Sequence, residues 1–130
     1  MTRLARRARR GVLTTPQTDT LVEAVTAHYP QPQYDNCTFV LCRLELPPNS
    51  STGWHYHPGT LIAIVEHGEL HHRGPGGETR IYRAGDAFVE PSGPGYVHCG
   101  TAGPDLPTRL LALYITPKGH ALTIPASAPE

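Results

Sequence analysis

Gly53-Trp54-His55-Tyr56-His57-Pro58-Gly59 is the stretch on which the fold turns. Side chains alternate along an extended strand, so two histidines separated by one residue face the same way, and both imidazoles can reach one ion. A third nitrogen would complete one side of a coordination sphere, and His98, which opens a strand after a glycine-proline turn, offers it. Outward from this segment the chain reads as short strands. Thr38 to Leu46 places Val40, Cys42, Leu44 and Leu46 on one face and Arg43 and Glu45 on the other. Leu61 to Val65 is an apolar run that ends at a Gly68 turn, with a polar return through Glu69 to His72. Gly74-Pro75-Gly76-Gly77 turns again, Thr79 to Arg83 is a strand, and Ala84-Gly85-Asp86 leads into Ala87 to Glu90. Pro91 to Gly95 breaks that strand, Tyr96 to Gly100 resumes it, and Arg109 to Ile115 is the last strongly apolar one.

Composition supports an all-β reading. Fourteen prolines and 13 glycines in 130 residues leave little room for long helices. That length suits a single domain. Its expected parts are a basic N-terminal tail over residues 1–16, a β domain over 17–117 and a C-terminal tail over 118–130, in which Leu122 and Ile124 can tuck against a neighbour. Leu21, Val22 and Val25 fit either a helical turn or an edge strand.

Charge and cysteine content narrow the function. Lys plus Arg and Asp plus Glu both total 11, so no net field favours nucleic acid, and a small-molecule partner fits better. Arg3, Arg6, Arg7, Arg9 and Arg10 read as a solvated tail. Gly11-Val12-Leu13 runs straight into Thr14-Thr15-Pro16-Gln17, short of the roughly 7–15 apolar residues of an export signal, and no window nears the ~18 of a membrane span. The expectation is a cytoplasmic protein with no membrane partner. Cys37, Cys42 and Cys99 are odd in number and lack metal-type spacing, so they are expected to be reduced and structural.

Two linked motifs resemble those of the cupin superfamily. His55 and His57 match the paired histidines of its first motif and Gly68 the closing glycine. Gly85-Asp86-Ala87-Phe88-Val89-Glu90-Pro91-Ser92-Gly93 matches the opening of its second, and the likeness spans about Asn49 to Ile115. The resemblance implies a single-domain double-stranded β-helix, or jelly-roll barrel, with histidines converging inside it and, through edge strands, a homodimer. This chain departs from the pattern at four places. Leu61 stands where the family usually has a glutamate ligand, Ala102 where it has a terminal asparagine, and two residues are inserted before His98. Asn49 replaces a glycine, a swap asparagine tolerates because it adopts positive φ.

Each unpaired polar group in an apolar barrel costs roughly 1–3 kcal/mol, so three buried imidazoles need partners. A divalent ion serves all three; hydrogen bonds among themselves, to Tyr56 or Tyr96, or to trapped water are the alternative. The expected metal ligands are therefore His55, His57 and His98. Fe(II) is favoured, and Zn, Ni, Cu or Mn are compatible with the donors.

Tyr56, His72 and Glu90 are candidate catalytic groups. His72 shares strand parity with Leu70 and can line the barrel, and Glu90 can swing inward as a replacement carboxylate. Glu66, His67, His28, His71 and His120 read as surface residues, Cys99 as facing away from His98, and Trp54 and Phe88 as core. The resemblance implies an Fe(II) dioxygenase acting on a small oxygen-chelating substrate. The alternatives are a redox-neutral zinc-type cyclase, isomerase or lyase and a non-catalytic small-molecule binding module.

Overall fold

The structure, a computed structural model, describes residues 15–25 and 36–130. The arginine-rich start and His28 lie outside the described residues. Among the described residues ten strands follow one another: β1 Gln17–Val25, β2 Cys37–Leu46, β3 His55–Tyr56, β4 Thr60–His67, β5 Glu69–Arg73, β6 Thr79–Arg83, β7 Ala87–Glu90, β8 Cys99–Ala102, β9 Thr108–Pro117 and β10 Ile124–Pro125. Among the described residues there is no helix long and apolar enough to cross a membrane.

All pairings are antiparallel. A five-stranded sheet in the order β1-β2-β9-β4-β7 faces a three-stranded one, β6-β5-β8, and β3 pairs with β10 in a third. The all-β barrel expected from the sequence is thus present. β1 is the edge strand of the larger sheet, which decides the choice left open at Leu21 to Val25, and a register shift between Thr20 and Val22 bends it.

Alternation fills the interior. β2 turns Val40, Cys42 and Leu46 inward, and β9 contributes Leu110, Ala112 and Tyr114. The apolar run of β4 divides between the two faces. Leu61, Ala63 and Val65 are buried, whereas Ile62 and Ile64 are 39% and 43% exposed on the outside, close to Val89 at 58%. The outward isoleucines follow from period-two geometry, which a solid hydrophobic run hides.

One small residue fixes how closely two of the strands approach. A Cβ at Gly59 would land on the Ile115 carbonyl, so only glycine lets β4 start flush against β9. Asn49 takes φ 64°, the left-handed conformation expected of its swap for glycine. The three cysteines are buried, and Cys99 Sγ lies 3.1 Å from Ser51 Oγ.

The segment after Pro117 departs from the expected loose tail. Ile124 and Pro125 pair with Tyr56 and His55, the Ala126 N–H donates to the Trp54 carbonyl at 3.0 Å, and Leu122 packs against the core. Leu122 and Ile124 do tuck inward, and they draw the backbone between them across the barrel.

Candidate metal centre

His55 and His57 leave β3 on its inner face, and the strand alternation that buries them turns Tyr56 the other way. Tyr56, a catalytic candidate from the sequence, is half-buried and is not among the residues lining the central cavity. His98 faces the pair because it forms an isolated antiparallel bridge with His55, with reciprocal backbone hydrogen bonds of 2.9 Å. The two inserted residues before it are absorbed in the Pro91–Gly95 loop. Ring centroids stand 4.9 Å apart for His55 and His57, 4.4 Å for His55 and His98, and 5.0 Å for His57 and His98.

Each ring has the same backbone anchor. His55 Nδ1 lies 2.8 Å from the Gly53 carbonyl, His57 Nδ1 2.9 Å from Leu122 and His98 Nδ1 2.8 Å from Tyr96. A carbonyl only accepts, so each Nδ1 carries a proton, and each ring turns into the barrel the Nε2 that is bare in its neutral form. This is the orientation that outer partners impose on metal-binding histidines.

Glu90 supplies the charge. It is the direct cross-strand partner of Leu61, so the carboxylate absent at position 61 arrives on the same face from the neighbouring strand β7. Its Oε1 is 3.0 Å from both His57 Nε2 and His98 Nε2, which are 3.2 Å from each other. Its Oε2 is 2.7 Å from His72 Nε2, which donates to it. His72 is buried at 4% exposure, so it lines the barrel as one of its two sequence readings had it. His72 Nε2 carries a proton on this reading, which makes it a partner of the carboxylate rather than a fourth imidazole ligand.

In the metal-free protein a proton that Glu90 favours on His98 can bridge His57 Nε2, His98 Nε2 and Glu90 Oε1. Three electron-rich atoms at 3.0–3.2 Å repel one another unless a proton or a metal ion sits among them. Two nitrogens about 2.1 Å from one ion, subtending 90–110°, lie ~3.0–3.4 Å apart, so the His57–His98 separation fits a shared divalent metal. The donors form two overlapping groups, His55, His57 and His98 and His72, Glu90 and His98, each with its ligand atoms within 4.8 Å.

The electrostatics agree. Burial opposes the charge on Glu90, but its contacts with the imidazoles of His57, His72 and His98 outweigh it and hold the carboxyl well below its usual range. Burial also disfavours a charged His98, yet its contact with Glu90 raises it above the ordinary histidine value. His55, desolvated and beside two other imidazoles, is pushed down to about 4 and stays a neutral donor.

The cavity behind these donors has a volume of about 300 Å³. Leu44, Leu46, Leu70, Leu110 and Phe88 line it with hydrocarbon, and Thr123 and Tyr114 add hydroxyls. Tyr114 sits edge-on to His57 at 5.5 Å, and burial raises its phenol, which keeps the O–H as a donor. Phe88 stacks on Tyr82 at 4.3 Å and lies beside His72, so it is both core and cavity wall.

Tyr114, Thr123 and the role of the Leu122 carbonyl escaped the sequence reading. The first could have been found from the Leu110, Ala112, Tyr114 alternation; the other two carry no local signal. Among the expected surface residues, Glu66 instead pairs with Arg43 at 3.0 Å, and His71 is half-buried beside Glu69. His67 and His120 are exposed as expected.

The description "Cupin domain" belongs to a family model that matches residues 42–114. A search of curated proteins finds no match. Among solved structures, an uncharacterized conserved protein with a double-stranded β-helix domain from Klebsiella pneumoniae subsp. pneumoniae MGH 78578 is similar. It shares 18% identity over 91% of this chain and 90% of that one, with a TM-score of 0.67. A cupin-like protein from Thermotoga maritima MSB8 shares 23% identity over 88% and 79%, with a TM-score of 0.65. The polyketide cyclase RemF from Streptomyces resistomycificus shares 23% over 92% and 78%, with a TM-score of 0.64. At these identities the likeness is one of fold.

Proposed function

Because the chain belongs to the cupin domain family, we propose that it is a mononuclear metal-dependent enzyme acting on a small molecule with oxygen donors at one end and an apolar body. The observation that carries this reading is the cluster of His57 Nε2, His98 Nε2 and Glu90 Oε1, three potential ligand atoms held 3.0–3.2 Å apart inside the barrel. His55, His57, His98 and Glu90 are the residues that would hold the ion, and Fe(II), Zn, Ni, Cu and Mn all suit such donors. When bound, the ion supplies a Lewis acid next to the substrate oxygens.

The chain's own groups favour proton transfer. Glu90 Oε2 and His72 Nε2 form a buried pair in which one proton is held at 2.7 Å, close to the donor cluster. Tyr114 keeps a hydroxyl available on the cavity wall, and the aliphatic walls exclude water from the substrate body. A 300 Å³ cavity stands at the small end of ligand sites, which limits the substrate to roughly the size of a substituted single ring. Cyclisation, isomerisation or elimination is the reaction class this arrangement supports best. The expectation of Fe(II) dioxygenation came from the family resemblance, with three histidines as ligands and Leu61 in place of the usual glutamate. Glu90 now brings a negative charge, but the three convergent imidazoles keep dioxygenation as the second reading.

Metal-free protein reloaded with Zn or with Fe(II) and offered catechols, gentisates and β-diketones separates the readings. Anaerobic turnover with Zn supports proton transfer. Oxygen uptake confined to the iron form supports dioxygenation. Ligand-induced thermal stabilisation without turnover in either form supports a binding module and overturns the enzymatic reading.

The pH dependence of metal binding follows from His98. Its pKa is raised in the folded protein, so a proton occupies it from above pH 6.5 downward and must be displaced by the ion. Affinity is therefore expected to begin falling above pH 6.5 and to drop about tenfold per further unit, while His55 stays neutral until about 4. Competition titrations with Zn from pH 8 to 5.5 check this; a flat profile would contradict a ligand role for His98.

A further inference from the structure

We propose that the segment Leu122–Ala126 is a strap that belongs to the metal centre, setting the tautomer of His57 and with it the affinity for the ion; the proposal rests on the metal-centre reading above. His55 and His98 each find an acceptor two residues upstream, at Gly53 and Tyr96. The corresponding acceptor for His57 is the His55 carbonyl, and that oxygen already accepts the His98 N–H at 2.9 Å. His57 instead donates to Leu122, 65 residues further along the chain. Of the three rings, it is the one whose orientation depends on a distant segment.

The dependence has a definite sense. Glu90 Oε1 stands 3.0 Å from His57 Nε2. With Leu122 in place, the ring proton stays on Nδ1 and Nε2 is free to ligate. Without it, the carboxylate is the strongest acceptor within reach, so the proton moves to Nε2 and occupies the metal-facing nitrogen. The strap is lightly attached: a two-residue pairing to β3, one hydrogen bond from Ala126 to Trp54 and the packing of Leu122. Thr123 adds a hydroxyl 3.3 Å from His57 Nδ1 and bonds Tyr114, so the same segment touches the cavity wall. Loss of an outer partner typically costs 10–100-fold in metal affinity. Coupling is reciprocal, so the ion also holds the strap down.

The test uses the full chain carrying Leu122→Gly and Ala126→Pro, which removes the apolar anchor and the hydrogen bond to Trp54. In metal-free protein, long-range ¹H–¹⁵N imidazole spectra should show His57 changing from the Nδ1–H to the Nε2–H form, with His55 and His98 unchanged. The Kd for zinc should rise 10–100-fold. If the double variant loses its sheet signature, the full chain carrying Leu122→Ala alone carries the same two measurements. Retention of the Nδ1–H form at His57, or unchanged zinc affinity with a detached strap, overturns the proposal. A wild-type chain that binds no metal overturns the metal-centre reading instead, and the tautomer measurement still judges the strap.

Discussion

Glu90→Leu is expected to lower metal affinity by at least ~100-fold, more than the loss of an outer partner costs. The carboxylate carries the site's negative charge and sits 3.0 Å from two of the three imidazole nitrogens. Removing it also leaves the His72 N–H without its acceptor inside the barrel, where an unsatisfied donor costs about 1–3 kcal/mol. The metal-free variant should lose roughly 2–4 kcal/mol, less than a stranded ion pair would, because His98 can shed its proton and become neutral.

A second variant separates the charge from the residue that bears it. Leu61 is the cross-strand partner of Glu90, so Leu61→Glu with Glu90→Leu moves the carboxylate across one rung of the ladder without changing its face. That exchange should recover metal binding to within about tenfold of the native chain. Isothermal titration with zinc and chemical denaturation of the metal-free proteins measure both effects. Native affinity in Glu90→Leu alone would show that the carboxylate serves only to pair histidines.

His57→Ala carries the other large effect. Its Nε2 belongs to the donor cluster, and its ring touches Tyr114, Glu90 and the Leu122 carbonyl. The alanine variant is expected to bind metal at least ~100-fold more weakly while keeping a folded barrel, because the removed ring borders an existing cavity rather than the leucine core. His71→Ala, on the adjoining strand β5 but outside the donor groups, should leave metal content unchanged. Elemental analysis of both variants after purification without added metal or chelator is the measurement. Full metal content in His57→Ala would place the ligands elsewhere.

Much of this architecture was legible in the residues. Strand positions on β2 and β9 follow from two-residue alternation, and Asn49 at positive φ follows from its place in the first motif. The pairing of His55 with His57 is a local property of an extended strand. Glu90 was visible as a candidate because it precedes Pro91 where an apolar residue would sit comfortably, but its value depends on register: only the β4–β7 ladder sets it opposite Leu61. His72 needed the same knowledge, since strand parity alone fits a buried or an exposed ring. Leu122 was out of reach for a deeper reason. It acts through a backbone carbonyl, and a backbone atom leaves no trace in residue identity.

The pairing of β2 with β9 also governs when the site can come into being. Their ladder joins Leu46 to Thr108 at its near end and Cys37 to Pro117 at its far end, so every histidine and the glutamate of the centre lie on the chain enclosed between them. Such long loop closures make barrels slow to fold. At about 5–20 residues per second, a ribosome needs roughly 3–12 s to add the ~60 residues separating Leu46 from Thr108. A nascent chain therefore displays its imidazoles as loose, independent groups for seconds before they can act together. If the centre holds an ion, capture must wait until β9 has been made, and the choice of ion then depends on the metals available at that time.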